Sequence, residues 1–234
     1  MMIKLISLNI WRNNDWEKRE SNIIQFFKNE NPDVILLQEA VKHPSLEKDG
    51  NQVEILKEKI QYSYALFYKS EILTDKITGE KFDIGLGILS KHKILNSESI
   101  ILKKQPEDKH PRIIVPFVIE KDGKKIELVN VHFSNDEVFS ILHLEETLNT
   151  IRKNNLKPII CGDFNMRIKE FVLKLGFEYN KSIQLMDYIT FPSKNEFLDH
   201  FFVHKDLWNF SDFKVSNTYL SDHNAIITSL ISNR

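Results

Sequence analysis

Apolar and polar positions alternate from Lys4 to Asn9 and stop at an amide, which predicts a strand with one face buried. Asn14-Asp15 can cap a helix that runs to about Asn29, because Trp16, Ile23, Ile24, Phe26 and Phe27 recur at roughly helical spacing. Asn31-Pro32-Asp33 stops it. Val34-Ile35-Leu36-Leu37 is apolar throughout, as expected of a strand covered on both faces at a sheet centre. A short helix is expected over Gln52 to Ile60. Tyr64 to Tyr68 and Ile84 to Ser90 read as strands, with the polar stretch Lys69 to Asp83 between them as a surface loop.

The clearest hairpin joins Arg112–Glu120 to Lys125–His132 through Lys121-Asp122-Gly123-Lys124, where Asp-Gly supplies the positive-φ turn. Pro116 inside the first run points to an edge or bulged position. Asn135 or Asp136 can cap a long helix to about Asn154. Pro158 to Cys161 reads as a buried strand, Met166 to Leu175 as a helix, and Leu198 to His204 and Ala225 to Ile231 as closing strands. Strands with helices between them, plus one antiparallel hairpin, predict a mixed α/β fold, and without repeats or Gly/Pro linkers one domain over residues 1–234 is expected.

Composition narrows the function classes. With 234 residues, 41% apolar and 28% charged, the chain is of ordinary globular make-up. No apolar run approaches the roughly 20 residues that span a bilayer, so no stable membrane insertion is expected. The first residues read as a strand, with no signal-peptide pattern. Cys161 is the one cysteine; it allows no intrachain disulfide and favours a cytoplasmic home. Thirty-two basic residues against 33 acidic ones, net −1, are unlike a protein that coats nucleic acid non-specifically. Local contact with nucleic acid stays open, and Lys91 to Arg112 is rich in lysine.

Chemistry gathers at strand ends. Asn9 ends the first strand, and alone would be an ordinary turn residue. Glu39 follows an apolar strand, where a carboxylate is well placed to hold a cation. His132 ends the hairpin strand. Asp163 and Asn165 flank Phe164 directly after Pro158–Cys161, and two capping-type residues exceed what one helix start needs. Asp199 lies within the apolar run Phe197–Val203, where burial is expensive unless the charge is paired. His200 points to the other face and reads as structural. Asp199 could accept from one nitrogen of His223, fixing its tautomer, while the other nitrogen faces a phosphate.

In order, Asn9, Gln38-Glu39, His132, Gly162-Asp163-Phe164-Asn165, Leu198-Asp199-His200 and Ser221-Asp222-His223 resemble the endonuclease/exonuclease/phosphatase superfamily of DNase-I-like, metal-dependent phosphoesterases, from residue 4 to about 231. The resemblance implies a four-layer α-β-β-α sandwich of two mixed β-sheets with one site at the sheet edges. It implies Glu39 as principal ligand of Mg2+, which Mn2+ can replace, assisted by Asn9 and Asp222. Asp163 would position or deprotonate the attacking water, Asn165 would orient it, and His223, held by Asp199, would bind the scissile phosphate. His132 matches a histidine that contacts the phosphate or assists the leaving group, and Arg112 resembles a phosphate-contacting arginine of some members.

Apurinic endonucleases carry Tyr in place of His132 and Arg-Ile-Asp-Tyr in place of Phe197–His200, which weakens a repair role. The signatures of inositol polyphosphate phosphatases are absent. The expectation is a monomeric, Mg2+-dependent phosphodiester hydrolase, a nuclease acting on DNA by in-line attack of water. A phosphatase or a phospholipid phosphodiesterase with a small phosphoester or headgroup substrate is the alternative. An idle binding domain is disfavoured, because it has no evident need for the paired Asp199 and His223.

Overall fold

The fold is described from a computed structural model for residues 1–47, 50–167, 169–174 and 176–233, with the backbone only at 170 and 171. Strand β1 (Met2–Asn9) leads into helix α1 (Trp16–Glu30). The expected cap is not made: Asp15 is left-handed at φ 48°, its side chain accepts from no helix N–H, and it pairs with the Lys18 ammonium instead. Strand β2 (Val34–Lys42) continues past its apolar half, and α2 (Gln52–Ile60) starts at Asn51, whose side chain accepts from Val53 N. Strands β3 (Tyr64–Thr74) and β4 (Lys81–Ser90) correct the loop expected over Lys69 to Asp83: a hairpin ladder carries the chain to Thr74 and back from Lys81. Ladder hydrogen bonds hold a segment whose side chains are too polar to announce a strand.

Two short strands, β5 (Lys93–Ser97) and β6 (Ile100–Ile101), precede β7 (Ile113–Lys121) and β8 (Lys124–His132), joined by Asp122 and Gly123 at φ 51° and 70°. Pro116 is not on an edge: β7 lies between β8 and β5, and Pro116 falls where β5 gives way to β6 as partner. Helix α3 (Glu137–Lys153) is capped by Asp136, whose carboxylate accepts from Val138 N and Phe139 N. Strand β9 (Ile159–Asp163) follows, then α4 (Lys169–Lys174). Met166 and Arg167 are not helical, and residues 168 and 175 of the expected helix lie outside the described residues. Strands β10 (Tyr179–Lys181), β11 (Asp199–His204), β12 (Trp208–Val215) and β13 (Ile226–Ser232) complete the chain.

Two mixed sheets result, ordered β12-β13-β1-β2-β4-β3 and β10-β11-β9-β8-β7-β5, with β6 also on β7. The parallel pairs are β1–β2, joined by α1, and β8–β9, joined by α3. Alternation divides β1 between two cores. Ile3 and Leu5 join the inter-sheet cluster, whereas Ile6 and Leu8 pack with residues of α1 and α2. The outcome is the α/β sandwich, with α1 and α2 outside one sheet and α3 outside the other. A buried polar contact crosses between the sheets, where Gln38 Nε2 donates to Asn130 Oδ1 at 2.8 Å. Among the described residues no helix is long and apolar enough to cross a membrane.

Candidate active site

Register brings the acidic and basic groups together. Asp163 is opposite His132 of β8 on one side and Asp199 of β11 on the other. Asn9, from the facing sheet, donates through Nδ2 to Asp163 Oδ2 at 3.0 Å, and the Asn165 N–H donates to Asp163 Oδ1 at 2.9 Å. The nearest nitrogens of His132 and His223 stand 3.6 and 3.8 Å from the same Oδ2. His223 Nδ1 meets Asp199 Oδ2 at 2.9 Å. Asp163, Asp199 and His223 are buried. Gly162 makes this approach possible: at φ 148°, a Cβ there would meet Val131 O at 2.0 Å.

Burial, with the charge of Asp199 behind it, pushes the Asp163 carboxyl up to about 7 against the opposing pull of His223 and Asn9. Burial alone would lower His223, but the charge and hydrogen bond of Asp199 outweigh it and raise the imidazole to about 10. His132 goes the other way, because burial and then the Arg112 charge hold it well below its usual value, so this imidazole is neutral. Donor atoms of Asp163, Asp199 and His223 lie within 4.8 Å of one another. That closeness does not make the trio a good cation site, since a protonated imidazole has no free lone pair to give.

Asn9 and Asp222 are linked through Ser221, and Glu39 lies near enough for its charge to act on Asp222. Asn9 pairs with Gln38 across β1–β2, and Ser221 Oγ donates to Asn9 O at 2.6 Å. Glu39 is left-handed at φ 53°, within a register shift of β2 against β4, which turns its carboxylate out of strict alternation. Burial and the charge of Glu39 push the Asp222 carboxyl up. Asn165 Nδ2 donates to Phe133 O at 3.2 Å, and Arg112 Nη2 donates to Asn135 Oδ1 at 2.9 Å. Arg112 is therefore tethered at the site and is not a fully solvated strand start. His200 is buried on the opposite face, where Nδ1 is 2.7 Å from Tyr188 Oη and burial lowers the imidazole to about 4.

Four residues here carried no usable sequence signal. Arg12 pairs with Glu39 at 3.2 Å, and Asn135 ties Arg112 to Asn165. Thr190 Oγ1 accepts from the amides of Leu198 and Asp199. Arg19 is fully buried and donates to the carbonyls of Ile10, Arg12, Asn14 and Leu220, thereby tying the loop after Asn9 to the loop before Asp222. An arginine in a helix looks like surface until its carbonyl partners are known.

The profile of the Endonuclease/Exonuclease/phosphatase family matches residues 6–223. The uncharacterised protein L388 of Acanthamoeba polyphaga mimivirus is 26% identical over 96% of this chain and 98% of its own length. An endonuclease/exonuclease/phosphatase from Bacteroides vulgatus superposes with a TM-score of 0.80 at 18% identity, covering 100% of both chains. The human Nocturnin catalytic domain with bound sulfate anion gives 0.78 at 17% identity over 99% of this chain and 95% of that one. With two mixed sheets and a profile match over nearly its whole length, the chain belongs to the Endonuclease/Exonuclease/phosphatase family of phosphoester hydrolases.

Proposed function

We propose that this protein is a divalent-metal-dependent phosphodiester hydrolase and that its substrate is nucleic acid, DNA being the first candidate, cleaved by in-line attack of water. The observation that carries the reading is Asp163: a buried carboxyl raised to about 7, held by Asn9 and Asn165, with two imidazoles within 4 Å. A base whose pKa lies near neutrality is well matched to taking a proton from water. Asp163 thus accepts that proton, and Asn165 orients the water. His223, charged and aligned by Asp199, donates Nε2–H to a phosphate oxygen as charge builds there. Neutral His132 faces the leaving oxygen, and Arg112 supports the phosphate.

Glu39 and Asp222, with the amide oxygen of Asn9, would hold Mg2+ or Mn2+. Their donors are all oxygen, as hard cations prefer, and a cation would offset the burial and, after it, the Glu39 charge that push the Asp222 carboxyl up. When bound, the ion would polarise a phosphoryl oxygen. The proposal extends to a monomer in the cytoplasm, where the single thiol of buried Cys161 stays reduced.

The test is one panel with Mg2+: supercoiled plasmid, abasic duplex, single-stranded DNA, RNA, phospholipid headgroup diesters and inositol phosphates. Cleavage of a nucleic acid that stops with chelator and returns with Mg2+ or Mn2+ is expected. Cleavage that persists in chelator, or of no member at all, rejects the proposal. The net charge of −1 favours a small phosphoester as the second reading, which the last two members address.

A further inference from the structure

Two consecutive residues after β1 are left-handed, Trp11 at φ 57° and Arg12 at φ 53°. Outside glycine such backbone is uncommon and persists where its surroundings impose it. At Arg12 two fully buried side chains do so. Gln52, at the start of α2, donates from Nε2 to Arg12 O at 2.8 Å and accepts from Val41 N at 3.0 Å. Arg19 of α1 donates to the same Arg12 carbonyl at 3.3 Å. The Arg12 amide in turn donates to Glu39 O at 3.1 Å. The main chain of Arg12 is thus held from α1, α2 and β2. Gln52 also ties it to Val41, just past the register shift that contains Glu39.

Glu39 is itself left-handed, at φ 53°. The two irregular backbones deliver their side chains to one another: Arg12 Nε stands 3.2 Å from Glu39 Oε2. That nitrogen is buried, yet among the described residues it has no well-aligned hydrogen bond. The contact is therefore one of charge, with little directional strength to hold it. The rest of the pair is partly open to solvent, with the side chains 39% and 23% exposed, and ion pairs of that kind add little to stability. Stability alone does not explain an arginine anchored from three elements.

Electrostatics does. Beyond the effect of burial, the Glu39 charge pushes the Asp222 carboxyl up, so the two acids oppose one another. The Arg12 charge lies against Glu39 and extends to His132, which it helps hold neutral after burial and Arg112. Resting on the reading of Glu39 as a metal ligand, we infer that Arg12 is the resident counter-ion of the cation site. Its guanidinium competes with the divalent ion for the Glu39 carboxylate and sets how tightly that ion binds. In the metal-free protein it balances Glu39 against Asp222; in the metal-bound protein its charge opposes the ion. Oε1 of Glu39 is left to the metal, so Arg12 weakens the site without closing it.

Manganese binding, followed by the EPR signal of free Mn2+, tests this without turnover. Arg12→Gln keeps an amide donor beside Glu39 and removes the charge. It should bind Mn2+ about tenfold more tightly than the wild type, because two cations no longer share one carboxylate. Arg12→Lys keeps the charge and should stay within about threefold of the wild type. Melting gives a second measure: Mn2+ should raise the Tm of Arg12→Gln by more than that of the wild type, since tighter binding to the folded state stabilises it further. A gain below about threefold in folded Arg12→Gln, a loss of affinity, or equal tightening in Arg12→Lys overturns the inference. Equal Mn2+-induced shifts in Tm do the same. Glu39→Gln keeps the two readings apart, because it should weaken Mn2+ binding at least about tenfold. If it does so while Arg12→Gln tightens nothing, the metal site stands and Arg12 is only a loop anchor. If Mn2+ binding ignores Glu39→Gln, the assignment of Glu39 as a ligand falls and takes the inference with it.

Discussion

His223 Nδ1 stands 2.9 Å from Asp199 Oδ2, and the two residues arrive from different sheets: Asp199 opens β11, and His223 sits just before β13. Both are buried, so the interaction is sheltered from the screening that weakens surface ion pairs. The pairing also answers how a carboxylate tolerates an apolar strand. One oxygen meets the imidazole, and two backbone amides at Leu198 and Asp199 are tied to Thr190 Oγ1, fixing the strand end that presents the carboxylate.

Asp199→Asn should therefore remove most of what keeps His223 charged. The ring pKa, followed by NMR, is expected to fall from about 10, because burial is then opposed only by the weaker pull of Asp163 and Asp222. Turnover should drop on the order of 100- to 1000-fold, the scale for losing one charge-stabilising donor. An unchanged imidazole titration in the folded variant would refute the pairing as the cause.

The pH dependence of kcat/KM follows from two groups. Asp163 acts as carboxylate, so the rate should climb about tenfold per pH unit up to about 7 and then level off. His223 acts as imidazolium, so the rate should fall again above about 10. A profile flat from pH 5 to 8 would remove Asp163 as the base.

Much of this was legible from residue order. The apolar strand before Asp163, the carboxylate inside Phe197–Val203 and the Asp-Gly hairpin each announce a local cost or conformation that few structures satisfy. What stayed hidden depends on partners distant in sequence. The polar ladder of β3 reads as loop because its hydrogen bonds belong to backbone. Asn14-Asp15 looks like a cap, yet the left-handed residues Trp11, Arg12 and Asp15 shape that loop around Arg19. Helical spacing places Arg19 on α1, but only the tertiary fold supplies the Leu220 carbonyl 201 residues away.

Arg19 is buried among main-chain carbonyls, among the described residues no carboxylate is hydrogen-bonded to it, and its guanidinium sends donors to four of the carbonyls. Arg19→Met strands those carbonyls and should cost about 3 kcal/mol or more, given the price of each unpaired buried group. Arg19→Lys, whose ammonium has three donors in place of five, should lie between it and the wild type. Urea denaturation checks both. A loss under about 1 kcal/mol from the methionine variant would mean that water replaces the guanidinium and the loops do not need it.

Asp163→Asn separates catalysis from stability. Turnover should vanish, because the amide cannot take a proton from water. Stability should move the other way at alkaline pH. The folded-state pKa of Asp163 is raised from 3.8 to about 7, mainly by burial, so folding favours the protonated acid. That contribution is fully present below pH 4 and is lost as the pH rises through about 7; above it the ionised carboxylate is a net burden with an upper bound on the order of 4 kcal/mol. The asparagine escapes this burden but also withdraws part of the charge that supports imidazolium at His223, which offsets some of the gain. In chelator at pH 8 the variant should melt no lower than the wild type, and at pH 5 its relative advantage should shrink, because the wild-type carboxyl is then protonated. Calorimetry at the two pH values reads the difference directly. A variant that melts well below the wild type at pH 8, and by a similar margin at pH 5, would show that Asp163 stabilises the fold through its hydrogen bonds to Asn9 and Asn165 instead of straining it for the sake of the reaction.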